Sequence, residues 1–125
     1  MQQSVLITDD NEEVRTVVRR VLERAGYNVH EAGNGKEALR TLRTMPFDLV
    51  ITDILMPEQD GIETIMFLRR EAPQTKVIAI SGSENDLFLA DARGLGAIAV
   101  LAKPFTPNDM LRLVTSVLGG AAARA

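Results

Sequence analysis

The chain has 125 residues, of which 46% are hydrophobic and 25% are charged, and its formal net charge is −3. This length and composition fit one ordinary globular domain, and the negative charge argues against nucleic-acid binding through the overall field of the domain. Because the chain has no cysteine, it can form neither disulfides nor thiolate metal sites. Its longest apolar run, residues 97–102, is too short to span a bilayer, and no secretory signal is visible. We therefore expect no membrane segment and a cytoplasmic location.

Five short apolar segments alternate with five longer amphipathic segments along the chain. The short segments predict β-strands, and the longer ones predict helices because their apolar residues recur at helical spacing. The strands are expected at residues 4–8, 27–31, 48–52, 76–80 and 97–101. The last three helices are expected at about residues 61–71, 84–93 and 107–118.

Capping and helix-breaking residues mark the ends of the first two helices. Asp10 is the expected N-cap of the first helix, with Glu13 at the spacing of a capping box, and Gly26 is the expected stop. The second helix is expected to open at the Asn34–Gly35 pair and to end at Pro46.

The alternation of strands and helices with short connections predicts an α/β fold, in which helices cover both faces of a parallel sheet. The second strand is expected at an edge, since Tyr27 and Val29 alternate with polar residues while the other strands are more apolar. We expect one domain over residues 1–120 and a frayed tail over residues 121–125.

An acidic residue, Asp53, stands where the third apolar segment ends. The apolar run Leu49–Ile51 is followed, one residue later, by Asp53. An unpaired charge inside a sheet is very unfavourable, so Asp53 should lie at the carboxyl end of the strand, where open α/β sheets bind ligands. Pro57 and the Asp60–Gly61 pair predict a loop over this acid.

Polar side chains also follow other strands: Asp9 and Asp10 follow the first, Ser81 the fourth and Lys103 the fifth. The carboxyl ends of parallel strands meet at one edge, so these residues should converge with Asp53. Three carboxylates a few ångströms apart repel by about 4 kcal/mol per pair at an effective dielectric constant near 20, so either one is protonated or a cation lies among them. Oxygen ligands suit Mg²⁺, while the lysine and hydroxyl suit an anion with several oxygens. The set predicts a phosphoryl-acceptor site with Asp53 as the nucleophile.

These residues give the chain a resemblance to the receiver domain of bacterial two-component response regulators, over residues 4–118. The resemblance implies a doubly wound five-stranded parallel sheet in the flavodoxin-like order 2-1-3-4-5. It identifies Asp53 as the phosphorylated aspartate, Ser81 as the hydroxyl switch and Lys103–Pro104 as the family's lysine followed by a cis-proline. Met56–Pro57 matches the family's loop after the acceptor.

The resemblance also implies a set of metal ligands. Asp10, Asp53 and the carbonyl of Leu55 would bind Mg²⁺ directly, and Asp9 would act through water. In one respect the chain departs from the family, because Val100 stands where an aromatic ring usually turns inward on activation. A short branched side chain has little to rotate, so we expect activation without a ring flip.

The function implied by the resemblance is that of a phosphorylation-controlled switch. A histidine kinase or a histidine phosphotransfer protein would donate a phosphoryl group to Asp53 with Mg²⁺ as cofactor, and the domain would then change its contacts with a downstream protein target. It would catalyse its own phosphorylation and dephosphorylation without being a turnover enzyme. We expect no direct nucleic-acid binding, since no DNA-binding module follows residue 118. The expected switch and output residues are Ser81, Val100, Lys103 and Pro104.

Three other functions fit parts of the pattern. An aspartyl-phosphate phosphatase also uses a nucleophilic aspartate, but it has a second acid two residues later, where this chain has Leu55. A nucleotide-binding flavodoxin-like module needs a glycine-rich loop after the first strand, where this chain reads DDNE at residues 9–12. A docking module that never uses phosphate has no need of the complete acid set. Taken singly, Asp10 fits a helix cap and Asp53 fits a turn, so the interpretation depends on their convergence.

Overall fold

The computed structural model describes residues 2–54, 61–81, 94 and 96–119. Its strands are β1 (Ser4–Thr8), β2 (Asn28–Ala32), β3 (Leu49–Asp53), β4 (Lys76–Ser81) and β5 (Ala99–Ala102). Its helices are α1 (Glu12–Arg24), α2 (Gly35–Thr44), α3 (Gly61–Glu71) and α4 (Pro107–Leu118). The helix predicted at residues 84–93 and the tail predicted at residues 121–125 lie outside the described residues.

The five strands form one sheet in the order β2-β1-β3-β4-β5, and every neighbouring pair is parallel. This arrangement confirms the predicted α/β fold and the predicted edge position of β2. The central strand β3 is buried at all five of its positions, as expected for a parallel strand covered on both faces.

Two apolar clusters hold the helices against the two faces of the sheet. Alternate residues of a strand point to opposite faces, so Val5 and Ile7 of β1 pack with α1 and α4, while Leu6 packs with α2 and α3. The same alternation divides β3, in which Ile51 belongs to the first cluster and Val50 to the second. Because both faces are covered, the strand ends are left as the place where polar side chains meet.

Helix α1 does not use the cap that the sequence predicted. Its N-cap is Asn11, not Asp10, and the Asn11 side chain accepts hydrogen bonds from the N–H groups of Glu13 at 2.9 Å and Val14 at 3.2 Å. The physical reason lies one residue before Asp10. Oδ1 of Asp9 accepts the N–H of Asn11 at 2.9 Å, and this short turn carries the chain past Asp10 before the helix starts. Asp10 therefore remains at the edge of the sheet.

The strand β2 lies one residue later than predicted at both ends, and it starts late because the N–H of Tyr27 still takes part in the C-terminal cap of α1. The N–H of Tyr27 donates to the carbonyl of Leu22 at 3.1 Å, and the N–H of Gly26 donates to the carbonyl of Glu23 at 3.0 Å. With φ of 99° at Gly26, these bonds form a Schellman motif. The predicted stop at Gly26 is confirmed.

The last three strands also differ slightly from the prediction. β3 is shifted by one residue, to Leu49–Asp53, and β4 runs one residue further, to Ser81. The side chains of Asp53 and Ser81 therefore start from the regular backbone of the sheet. β5 starts two residues later than predicted, since pairing with β4 begins at Ala99 opposite Ile78. The chain enters β5 through Gly96, whose φ of 127° is a turn conformation that favours glycine.

The other helices begin where the sequence predicted. Asn34 caps α2 by accepting the N–H of Glu37 at 2.9 Å. Helix α3 has the predicted bounds, Gly61–Glu71. Helix α4 starts with a capping box in which Thr106 and Asp109 each accept the other's backbone N–H at 3.0 Å. Among the described helices, none combines the length and the apolar character that crossing a membrane requires.

Candidate functional site

Four of the predicted site residues meet at the carboxyl edge of the sheet. Asp53 and Ser81 are the last residues of β3 and β4, and Asp9 and Lys103 directly follow β1 and β5. The N–H of Lys103 donates to the carbonyl of Ser81 at 2.8 Å, so the ladder between β4 and β5 places these two residues side by side. The convergence arises from the parallel register of the strands.

Lys103 connects two buried acids. Its Nζ lies 2.9 Å from Oδ2 of Asp9 and 3.0 Å from Oδ2 of Asp53. The side chains of Asp9 and Asp53 are 0% and 8% exposed, and that of Lys103 is 25% exposed. Two carboxylates this deeply buried would repel each other strongly without a positive charge between them. The ammonium group supplies that charge and is itself reached from solvent.

The protonation of Lys103 follows from the same contacts. Partial burial on its own would lower the pKa of the ammonium, but the hydrogen bonds and charges of Asp9 and Asp53 outweigh it and raise the pKa above its usual value. The group therefore carries a full positive charge at neutral pH.

A third acid completes a possible cation site. Asp9, Asp10 and Asp53 each offer a carboxylate oxygen, and these three atoms all lie within 4.8 Å of one another. Asp10 is exposed while the other two are buried, so the group opens to solvent on one side. A set made only of carboxylate oxygens, with one open side for water, suits Mg²⁺. Leu55, the other predicted ligand, lies outside the described residues.

The predicted switch residues occupy different environments. Ser81 is 2% exposed at the end of β4. Val100 is half-buried and packs against the cluster formed with α2 and α3. The peptide bond between Lys103 and Pro104 is cis, as the resemblance implied, and Pro104 is exposed. The roles of these residues in switching stay predictions.

One residue at this edge was missed by the sequence analysis. Nη1 of Arg15 donates to the backbone carbonyl of Asp9 at 2.6 Å, and its Nε donates to Oε1 of Glu31 at 3.2 Å. The available signal was weak: Arg15 follows Val14 on the border of the apolar stripe of α1, one turn after the helix begins. That position shows that the side chain lies near the sheet, but it does not show which backbone group it reaches.

The sequence matches the model of the response regulator receiver domain over residues 5–115. The chain therefore belongs to this family, as its sequence and fold predicted. Receiver domains are signalling modules of two-component systems, and they interact with histidine kinases and with downstream effectors.

Individual relatives support this assignment. The alkaline phosphatase synthesis transcriptional regulatory protein PhoP of Bacillus subtilis is 31% identical over 118 residues, which make up 94% of this chain and 49% of that protein. The chain thus spans about half the length of the curated relatives it matches.

Solved structures show the same fold. The chemotaxis response regulator CheY4 of Vibrio cholerae is 30% identical with a TM-score of 0.88, and the alignment covers 94% of this chain and 100% of that chain. A CheY-like receiver domain protein of Methanospirillum hungatei is 26% identical with a TM-score of 0.91, and each chain is covered completely. Both structures share the overall fold of this chain over almost its whole length.

Proposed function

We propose that this receiver domain is a phosphorylation-controlled switch whose phosphoryl acceptor is Asp53. The observation that carries the proposal is the bridge from Lys103 to Asp53 and Asp9, next to the exposed carboxylate of Asp10. The buried carboxylate is the nucleophile of such a site. The ammonium group beside it, and a cation bound at the solvent-exposed acidic side, would both stabilise the negative charge of the phosphoryl oxygens. We propose residues 1–120 as the unit that carries this function.

In the proposed reaction, a carboxylate oxygen of Asp53 attacks the phosphorus of a phosphohistidine. A P–O bond forms as the P–N bond breaks, the electron pair stays on the imidazole nitrogen, and that nitrogen takes a proton from solvent. Lys103 orients the Asp53 carboxylate beforehand and then stabilises the negative charge on the phosphoryl oxygens. Ser81, at the end of the adjacent strand, is the proposed hydrogen-bond partner of the transferred phosphoryl group. By forming this hydrogen bond, Ser81 would act as the switch.

Asp10 and Asp53 would hold Mg²⁺ directly, together with the carbonyl of Leu55 that the resemblance implies, and Asp9 would act through water. When bound, the metal ion supplies positive charge for the acids and for the phosphoryl oxygens. The protein's own contribution is to keep two of the acids dry and in place, since Asp9 and Asp53 are buried and bound to Lys103.

The proposed phosphodonor is a histidine kinase or a histidine phosphotransfer protein, and the proposed receiver of the signal is another protein. The domain would catalyse its own modification and its own return to the unmodified state, and no substrate would be turned over beyond that. Val100 and Pro104 remain the proposed output residues on the β5 side of the sheet. The cytoplasmic location stays a prediction.

Intact-protein mass spectrometry with acetyl phosphate and Mg²⁺ tests the acceptor. The wild-type protein should gain one phosphoryl mass, and Asp53→Asn should gain none because the amide keeps the shape but is not a nucleophile. Asp48→Asn is the matched control, since Asp48 precedes the same strand and, within the described part of the chain, its carboxylate accepts only the N–H of Ser4, at 2.7 Å. It should be phosphorylated as the wild type is.

Phosphorylation of Asp53→Asn at the wild-type yield would contradict the assignment. Continuous release of phosphate from an aryl phosphate, over many turnovers per chain, would instead favour the phosphatase. No mass gain in any of the three proteins would favour a docking module.

A further inference from the structure

The backbone and side chain of Asp9 are held by four separate contacts. Its N–H donates to the carbonyl of Ala32 at 3.2 Å, and its carbonyl accepts from Nη1 of Arg15 at 2.6 Å. Its Oδ1 accepts the N–H of Asn11 at 2.9 Å, and its Oδ2 lies 2.9 Å from Nζ of Lys103. Of these contacts, the one from Arg15 is made to the peptide group that joins Asp9 to the next residue, and the functional site described above gives it no role.

The guanidinium group of Arg15 is itself fixed in place. Its Nε donates to Oε1 of Glu31 on β2 at 3.2 Å, and the side chain is only 16% exposed. It also lies against the turn after β2, where a Cβ built on Gly33 would be 3.5 Å from Nη1. An arginine fork held by one acid and packed against backbone presents its remaining N–H groups in a fixed direction.

This contact bears on the neighbouring acid, Asp10. A peptide group is planar, so fixing the carbonyl of Asp9 also fixes the plane that leads into Asp10. The Asp10 side chain is exposed, and within the described ranges no residue donates a hydrogen bond to its carboxylate. The position of this carboxylate relative to Asp9 and Asp53 is therefore determined mainly by its backbone.

We infer that Arg15 is a positioning residue, which holds the Asp9–Asp10 peptide so that the Asp10 carboxylate faces the cation site. This inference rests on the proposed function, because it assigns Arg15 a part in forming the Mg²⁺ site. Groups that orient metal ligands without touching the metal commonly change metal affinity by tenfold or more when they are removed.

Helix α1 offers a matched control for this role. Arg19 lies one turn after Arg15 and also binds Glu31, through Nη1 to Oε2 at 2.9 Å, and it binds Glu23 through Nε at 3.2 Å. Within the described part of the chain, Arg19 donates no hydrogen bond to the backbone of Asp9. Its removal therefore takes one positive charge and one Glu31 ion pair from the same helix, but leaves the Asp9–Asp10 peptide held.

The test is a calorimetric titration of Mg²⁺ into the unphosphorylated protein, with no phosphodonor present. Arg15→Met should weaken Mg²⁺ binding about tenfold, whereas Arg19→Met should stay within about twofold of the wild type. Arg15→Lys should recover part of the loss, because an ammonium group can still donate to the carbonyl of Asp9 but cannot bind Glu31 with a second nitrogen.

A second readout separates positioning from a general loss of folded protein. In Arg15→Met the Mg²⁺ concentration that gives half-maximal phosphorylation by acetyl phosphate should rise about tenfold. The rate at saturating Mg²⁺ should remain within about twofold of the wild type, because Asp53 and Lys103 are untouched. A variant that was merely unfolded would lose the saturating rate as well.

The inference would be overturned if Arg15→Met and Arg19→Met had equal Mg²⁺ affinities, whether both were unchanged or both were reduced tenfold. If Arg15→Met does not fold, Glu31→Gln replaces it, since this change keeps Arg15 but removes the acid that orients it. A loss of about threefold in Glu31→Gln supports the inference, and an unchanged affinity overturns it. If the wild type neither binds Mg²⁺ nor is phosphorylated, the proposed function is wrong, and so is the inference that rests on it. If the wild type binds Mg²⁺ and the variants bind it equally well, only the inference is wrong.

Discussion

The middle and the end of β3 belong to the same strand, but burial has opposite energetic effects on their side chains. At Ile51, in the middle, an apolar side chain is fully buried between other strands and helices. Two residues later, Asp53 is an acid that is also buried and is bound to an ammonium group. Burying a large aliphatic side chain stabilises the fold by about 1.5–3 kcal/mol, whereas a buried acid is unfavourable until another group compensates its charge.

The difference shows how stability and function are separated within a few ångströms. Side chains in the middle of the sheet stabilise the fold without outside help. Acids at its edge depend on Lys103, on hydrogen bonds and, in the proposed function, on Mg²⁺. Removing a side chain should therefore destabilise the middle in every case, while at the edge the sign should depend on which charge is removed.

The largest expected effect is in the middle of the sheet. Ile51→Ala should lower the free energy of unfolding by about 2–5 kcal/mol, because Ile51 is 0% exposed and the cavity cannot collapse between strands. Urea unfolding measures it. Folded Ile51→Ala protein should still gain one phosphoryl group, and loss of labelling in fully folded protein would contradict the separation of the two regions.

The next effect comes from the cation at the edge. Lys103→Met should lower the free energy of unfolding by about 1–3 kcal/mol, less than for a fully dry pair because Lys103 is 25% exposed. Adding Mg²⁺ should recover part of the loss, since it replaces the missing positive charge. Lys76→Met is the control: among the described residues, its Nζ donates only to the carbonyl of Val117 at 2.8 Å. The stability difference between Lys76→Met and the wild type should be the same with and without Mg²⁺.

A third substitution should have the opposite sign. Asp10→Ala removes one of three carboxylates that lie within 4.8 Å, so without metal it should raise the free energy of unfolding by about 0.5 kcal/mol. In the same variant, Mg²⁺ affinity should fall more than about tenfold, equivalent to about 1.4 kcal/mol. Urea unfolding and calorimetry test the two parts, and a destabilised Asp10→Ala protein would show that repulsion does not govern this edge.

The smallest effect concerns a charge that lies outside the site. Hydrogen bonds from the backbone and side chain of Thr106, and one from Arg112, hold the pKa of Asp109 below its usual value. The usual pKa of this carboxyl group is 3.8, and at pH values above it the lowered pKa stabilises the folded state. This contribution is lost as the pH falls through the lower pKa of the folded state.

The melting temperature of Asp109→Asn should therefore lie below that of the wild type at pH 5 to 7 by a constant small amount, and the difference should close below about pH 3.8. Melting followed by circular dichroism across this range measures the effect. A gap that persists at the lowest pH would mean that the charge of Asp109 is not what stabilises the start of α4.

The residues of the edge could be predicted from the sequence because they follow from one rule. Each of Asp9, Asp53, Ser81 and Lys103 stands at the end of an apolar segment, and parallel strands bring such ends together. The strand order itself came from the family resemblance, since alternation alone does not say which strands are neighbours.

The cap of α1 shows where local reasoning fails. Three consecutive residues, Asp9, Asp10 and Asn11, all have side chains that can cap a helix. The choice among them depends on Lys103, which binds one oxygen of Asp9 and comes from the far end of the chain, and on the hydrogen bond from Asn11 to the other oxygen. The contact from Arg15 to the Asp9 carbonyl was likewise invisible, because no sequence pattern specifies which carbonyl a long side chain reaches.

The bridge formed by Lys103 also ties the proposed site to completion of the fold. Of its two acids, Asp9 follows β1 and Asp53 ends β3, and Lys103 is separated from Asp53 by 50 residues of sequence. During synthesis Asp53 leaves the ribosome well before Lys103, so a nascent chain has the proposed acceptor without its cation. The same holds for a molecule whose last strand has come loose. In the proposed function, phosphorylation would therefore require a chain in which β5 is paired and Lys103 is in place, so the signal would depend on the number of folded copies and not on the number of chains made.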